Sequence, residues 1–265
     1  MNVVVDDGQS VAVVSVLSSG KEATVVLIPG DFEAQNVAFG YGRYRFSKLY
    51  AVGQIDGRGG ETLRRTSEKY LGVALGGFFK TTRKFNFDNP KAFFTDPGFV
   101  FQDRSNLNIV DRVIFAKTFG GVRFDRLDRV DLGQFGEALV LSDGSTTQFV
   151  EEAKIDSLLS GLFVEPEVAA ENGRITVQNS TEMTGMGGEA ARILTSTGLS
   201  VVEVTTAGPA VGRCQLAFQD KWRGSFTVRR VREIFKCEEV KYNFNERSDI
   251  VVIVGTDFAD GQKSQ

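Results

Sequence analysis

Two stretches of the sequence set cations among aromatic rings. Lys80, Arg83 and Lys84 lie close to Phe78, Phe79, Phe85 and Phe87, and Lys221, Trp222, Arg223, Phe226, Arg229, Arg230 and Arg232 form a denser group. Ammonium and guanidinium groups neutralise phosphates while rings offer stacking platforms, so either group could hold a single-stranded nucleic acid or another acidic polymer. The binding candidates of the second group are Arg229 and Arg230. The same stretch also reads as structure: Phe226, Val228, Val231, Ile234 and Phe235 recur as the buried side of a helix, which would leave the arginines in water.

Other chemistries are excluded by composition. The chain has 265 residues and no histidine, which removes Ser-His-Asp and Cys-His catalysis and any histidine-bearing zinc site. A metal, if used, would be held by oxygen. Gly57, Gly59 and Gly60, and later Gly185, Gly187 and Gly188, precede helical patterns whose first turns could face an anion, but neither set completes a dinucleotide or P-loop fingerprint. The two cysteines, Cys214 and Cys237, sit in apolar, strand-prone settings. They allow one disulfide, suited to an oxidising exterior, or two buried thiols, and their spacing is not that of a Cys-x-x-Cys redox centre.

The elements that position these groups alternate. Val11–Leu17 and Ala23–Pro29 read as adjacent strands, Glu61–Leu71 as an amphipathic helix entered from Asp56-Gly-Arg-Gly-Gly60, and Val73–Phe79 as another strand. Leu107–Phe119 reads as a helix carrying Ile109, Val110, Val113, Ile114 and Phe115, and Ala138–Val150 as a hairpin around Asp143-Gly144. In the second half, Ile175 and Val177 alternate with polar residues up to Gln178. A turn rich in Asn, Ser, Thr and Gly follows, then a helix from Glu189 through Ala190, Ala191, Ile193 and Leu194. Gly198 closes it before the strand Leu199–Val204. The class is α/β. A net charge of −3 does not point to nucleic acid or a membrane surface. No stretch reaches the roughly 20 apolar residues of a membrane span.

The second half resembles the C-terminal domain of LytR-type envelope proteins over residues 172–258. Val177, Asn179, Ser180, Thr181, Gly185, Ala190, Ala191, Leu194, Gly198 and Val201 carry the resemblance, and Ser248–Asp257 is similar to that domain's closing strand and Gly-x-Asp finish. The first half resembles the catalytic domain of the LytR-CpsA-Psr family, enzymes that transfer glycopolymers from polyprenyl-pyrophosphate carriers to cell-wall acceptors. Three ordered pieces carry this: Leu27-Ile-Pro-Gly-Asp31, Lys48-Leu-Tyr-Ala-Val-Gly53, and Gly59-Gly-Glu-Thr-Leu-Arg-Arg through Leu71-Gly-Val73.

The resemblance implies an anion site in which Asp31 binds a divalent ion, magnesium, and Lys48, Arg64 and Arg65 face phosphates. Charge clusters on helices and turns also occur as solvated surface, with Asp31 capping a turn. The departures point away from catalysis. Gly30 stands where the family has an arginine, and the Arg-Ser-Asp-Thr motif expected before the first of the paired strands falls on Asp7-Gly-Gln-Ser10, which lacks its arginine and its metal-side aspartate. Balancing the charge on a leaving pyrophosphate needs such cations. Arg126 and Arg129 have the spacing of a later arginine motif but lie in a strand-like segment.

The expected architecture is an α/β domain over 1–165 with a mixed sheet, a link at Glu165-Pro166-Glu167, a smaller α/β domain over 172–258 and a disordered tail over 259–265. The second domain's order, strand, helix, strand, strand, helix, strand, strand, suggests a ferredoxin-like sandwich. The expected function is that of a catalytically degenerate extracytoplasmic protein binding a wall glycopolymer, a lipid carrier or a protein partner, not nucleic acid. The resemblance implies attachment to the cell membrane by a helix ahead of this chain. The alternative is a working magnesium-dependent phosphotransferase using Asp31, Lys48 and Arg64 or Arg65.

Overall fold

The structure is a computed structural model that describes residues 1–17, 19–101, 103–140, 144, 146–244 and 247–260. It divides into two compact units, Met1–Leu71 with Leu75–Leu162, and Gly72–Ala74 with the chain from Phe163 onward.

The first unit is built on a six-stranded mixed sheet. Strands β1 (Asn2–Asp6), β2 (Ser10–Val16) and β3 (Ala23–Pro29) form an antiparallel meander. A small ribbon of β4 (Glu33–Val37) and β5 (Gly42–Arg45) follows, then helices α1 (Leu49–Gln54) and α2 (Gly59–Leu71). Strand β6 (Gly77–Lys80) returns parallel to β1. Two short helices, α3 (Pro90–Thr95) and α4 (Pro97–Phe101), lead to β7 (Arg104–Ser105) and the long α5 (Ile109–Gly121). Strand β8 (Leu127–Asp131) joins parallel to β3, giving the order β7-β6-β1-β2-β3-β8. The hairpin of β9 (Glu137–Val140) and β10 (Thr146–Phe149) precedes α6 (Glu152–Leu159); Asp143, at its expected tip, lies outside the described residues.

The near-continuous valine runs of β1, β2 and β3 are buried along their length, as strands covered on both faces must be. Val3, Val5, Ala12 and Val14 meet a phenylalanine cluster on one face, where Phe94 lies 4.7–5.3 Å from the rings of Phe93, Phe99, Phe115 and Phe119. That cluster decides which side of α5 turns inward. Phe115 and Phe119 are buried, whereas Ile109, Val110, Val113 and Ile114 are exposed.

On α2, a side chain at Gly60 would place its Cβ 1.9 Å from the Phe78 ring, so this glycine lets helix and sheet touch. The expected strand over Val73–Phe79 is shorter. The Leu75 N–H donates to Glu68 and its carbonyl accepts from Arg64 Nη1, so its backbone is satisfied by side chains, and the ladder starts at Gly77.

The second unit contains α7 (Pro166–Glu171), β11 (Arg174–Asn179), α8 (Met186–Ser196), β12 (Ser200–Thr206), β13 (Gln215–Phe218), α9 (Phe226–Phe235), β14 (Glu238–Glu239), β15 (Ile250–Val254) and α10 (Thr256–Asp260). The stretch expected as a link, Glu165-Pro166-Glu167, instead starts α7, with Pro166 at a first-turn position whose N–H no helix needs. The expected disordered tail begins inside α10, and residues 261–265 lie outside the described residues.

The sheet order is β12-β11-β15-β13-β14, with β11 parallel to both β12 and β15. A ferredoxin-like sheet would separate the first strand from the second, but here the β11-α8-β12 crossover returns beside its own first strand. The expected sequence of elements is present and the expected pairing is not. Helix α8 begins three residues before Glu189, at Met186, and Gly198 (φ +94) follows its C-cap in the left-handed region. Ile175, Val177, Leu194, Leu216, Val231 and Val252 form the centre of the core. Cys214 and Cys237 form a disulfide with Cα atoms 4.4 Å apart, beside the parallel contact of β13 with β14.

Candidate functional site

The first unit brings two of the proposed anion-site residues near one another and closes off a third. Pro29-Gly30-Asp31-Phe32 is a tight turn, with the Phe32 N–H donating to the Pro29 carbonyl at 3.1 Å. The Ser47 N–H donates to the Gly30 carbonyl at 3.0 Å, so Asp31 and Lys48 sit on adjoining backbone segments, both exposed. At Gly30, an added Cβ would lie 2.0 Å from the Gln9 carbonyl oxygen. The backbone of the β1–β2 turn therefore fills the space in which an arginine side chain would begin.

Asp7, in that same turn, is an acceptor for the main chain. Its Oδ1 takes the N–H groups of Gln9 and Ser10 at 2.8 and 2.7 Å, and its Oδ2 takes the Phe85 N–H at 2.9 Å. An aspartate with both oxygens engaged by amides fixes a loop.

Arg64 is held from every side. Its Nε and Nη2 bind the two oxygens of Glu61 at 3.0 and 2.6 Å. Its Nη1 binds Glu68 at 3.1 Å and the Leu75 carbonyl at 2.6 Å, and its side chain is 15% exposed. Burial alone would raise the Glu61 carboxyl, but the bonds from Arg64 and Arg65 outweigh it and hold the group down at about 2. Burial raises Glu68, with Arg64 opposing, and the same carboxylates raise Arg64 against its own burial. Arg65 binds Glu61 at 2.8 Å and lies over the Phe39 ring. Among the described residues no three of His, Cys, Asp or Glu are grouped to hold a metal ion.

A separate cleft of about 440 Å³ opens in the same unit. Its walls come from β4 (Glu33, Ala34, Asn36), the last turns of α2 (Thr66, Lys69, Tyr70), and the segment from β10 into α6 (Phe149, Val150, Glu151, Glu152, Ile155). The Thr66 hydroxyl accepts the Ala38 N–H at 3.0 Å, and the Tyr70 hydroxyl oxygen accepts the Val150 N–H at 3.2 Å. Burial pushes the Tyr70 phenol up to about 12, so it stays protonated. Nothing local in the sequence marks this cleft, because its walls come from three segments far apart along the chain.

In the second unit the basic group is largely paired. Arg230 binds Glu165 at 2.8 Å and Glu233 at 3.2 Å. Arg223 and Arg232 both reach Glu239, and Arg229 is exposed over the ring of Phe226. Phe226, expected inside, is itself exposed, and Val228, Val231 and Phe235 form the buried side of α9. The anion position at the start of α9 is filled from within: Glu171 accepts the N–H groups of Phe226 and Thr227 at 2.9 and 2.8 Å, and Ser225 accepts that of Val228. Burial opposes ionisation of Glu171, and these amides more than offset it, lowering its pKa.

The parallel strands β11 and β12 around α8, with a Gly-bearing turn between β11 and α8 pinned by Asn179, give this segment its type. Residues 172–258 match the LytR_C family, the LytR cell envelope-related transcriptional attenuator. No curated protein matches the chain. Among solved structures, the chain is similar to TagT of B. subtilis at 12% identity, covering 60% of this chain and 87% of that one with a TM-score of 0.42. The LytR-CPS2A-psr family protein YwtF (TagT) with bound octaprenyl pyrophosphate lipid gives 12% identity, 60% and 86% coverage and a TM-score of 0.42. The transcriptional regulator EF0465 of Enterococcus faecalis gives 10%, 76% and 88%, and 0.46. At these values the likeness carries nothing about a site or an activity. Among the described residues no helix is long and apolar enough to cross a membrane.

Proposed function

We propose that this protein is an extracytoplasmic cell-envelope protein, similar to the LytR-CpsA-Psr enzymes, that binds a wall glycopolymer, a lipid carrier or a protein partner without transferring phosphate. The LytR_C segment supports the envelope assignment. The carrying observation for the rest is the closure of Arg64 by Glu61, Glu68 and the Leu75 carbonyl. With four of its five N–H groups engaged by two carboxylates and a carbonyl, this cation is already neutralised within the fold and is poorly placed to follow charge onto a leaving pyrophosphate. Gly30 and Asp7 support the same reading, since one has no room for a guanidinium and the other is an acceptor for three backbone amides. In this reading, attachment to the membrane comes from a segment ahead of residue 1.

The test is co-sedimentation of the protein with isolated cell-wall sacculi, and with vesicles carrying a polyprenyl pyrophosphate, each with magnesium and with chelator. Saturable binding to walls or to the lipid that magnesium does not alter supports the reading. Absence of both, together with no protein captured from an envelope extract, overturns it.

A further inference from the structure

We infer that the outward face of α5 is a docking surface for a phospholipid bilayer carrying anionic headgroups. The inference rests on the envelope reading only for the presence of a membrane.

Helix α5 is apolar on both of its sides. Phe115 and Phe119 enter the ring cluster, while Ile109, Val110, Val113 and Ile114 are 47–65% exposed. A helix that is apolar all round belongs in a core or in lipid, and a contiguous exposed apolar patch marks an interaction surface. The other exposed positions of the helix are Lys117 and Gly121, so none of them is acidic. The one acid of α5, Asp111, is half-buried and accepts from the Asn108 side chain at 2.8 Å.

The charges bordering this stripe are cations. Lys117 lies on it, one turn beyond Val113. Arg104 is exposed on β7 ahead of the helix, and Lys21 is exposed in the β2–β3 turn. That turn lies against the far half of α5, where a Cβ on Gly20 would be 3.2 Å from the Thr118 methyl. Among the described residues none of these three cations has a carboxylate partner. The chain as a whole carries a net charge of −3, so this surface runs against the overall balance. Aliphatic side chains entering the headgroup boundary, with lysine stems reaching back to phosphates, fit such a stripe. A second copy fits it less well. A standard protein interface takes roughly 20–30 residues a side, whereas the stripe offers four apolar side chains, and two-fold pairing would bring its bordering cations together.

The test is co-sedimentation of the whole protein with phosphatidylcholine vesicles, with and without phosphatidylglycerol, and containing neither polyprenyl pyrophosphate nor wall material. Failure here therefore leaves the envelope reading standing. The variants are Val110→Glu with Ile114→Glu, Lys117→Glu, and Val140→Glu as an exposed control on β9. Saturable binding that requires phosphatidylglycerol and falls with added salt is expected, weakened at least about tenfold by the double variant, weakened by Lys117→Glu and unchanged by Val140→Glu. No binding at millimolar lipid, equal binding by the double variant, or a solution dimer that the double variant dissolves without any vesicle binding would overturn the inference. If the double variant does not fold, Lys117→Glu and the dependence on phosphatidylglycerol decide.

Discussion

Nη2 of Arg64 lies 2.6 Å from Oε1 of Glu61, one helical turn earlier on α2, and the pair is closed underneath by Glu68, whose other oxygen takes the Leu75 N–H at 3.0 Å. An arginine whose place in the sequence suggests a phosphate site therefore ties the end of α2 to the entry of β6. It stabilises the fold by matching a carboxylate that would otherwise be buried alone.

Arg64→Ala leaves the Glu68 carboxylate without its cation. The expected loss is about 3–5 kcal/mol of unfolding free energy, the usual consequence of removing one partner of a buried ion pair, and Arg64→Lys recovers only part of it because one ammonium cannot reproduce the fork. Urea unfolding measures this. A variant of native stability that had lost affinity for polyprenyl pyrophosphate would instead make Arg64 a ligand-binding residue.

Gly30→Arg, which restores the arginine of the family pattern, is expected to destabilise by about 1–3 kcal/mol through overpacking, because its Cβ would meet the Gln9 carbonyl. It should bring no gain in magnesium-dependent turnover. Thermal unfolding and a phosphate-release assay read the two effects separately.

Asp249 anchors the second unit's sheet. It accepts from the Arg174 N–H and Nε and from Lys221 Nζ at 2.9–3.3 Å. Burial would raise its carboxyl, but these donors outweigh that and hold it well below the ordinary carboxylate range. A depressed carboxyl stabilises fully above its unfolded value, near 3.8, and the contribution disappears as pH falls through the lower folded value. Asp249→Asn should cost about 1–3 kcal/mol at neutral pH and reduce the acid-induced loss of stability below pH ~4. An unchanged acid limb in denaturant titrations would show that Asp249 does not set it.

The disulfide spans 23 positions and encloses α9. Reduction, or Cys214→Ser with Cys237→Ser, is expected to lower stability by about 3 kcal/mol from the added freedom of the unfolded loop. Equal unfolding midpoints with and without reductant would contradict this.

Local pattern made much of the framework legible. The valine runs gave β2 and β3, and the spacing of Leu63 and Leu71 gave α2, because burial against one face imprints its period on the sequence. The strand, helix, strand of 174–206 was readable for the same reason, aided by Gly198. Pairing order was not: which strand lies beside β11 is decided by β15, more than 70 residues later. The exposed side of α5 was also hidden, since isoleucines and phenylalanines look alike by hydropathy and only the ring cluster around Phe94 selects Phe115 and Phe119. At the site, sequence could nominate Asp31, Lys48, Arg64 and Arg65, but not that Glu61 and Glu68 close around one of them.

The most direct test of the central claim is the fate of a polyprenyl-pyrophosphate-linked glycan incubated with the protein and magnesium, followed by chromatography of the lipid products. The account predicts no cleavage of the pyrophosphate above the protein-free background. Magnesium-dependent cleavage that Asp31→Ala abolishes would contradict it, and would make Asp31, with Lys48 beside it, the centre of a working phosphotransferase.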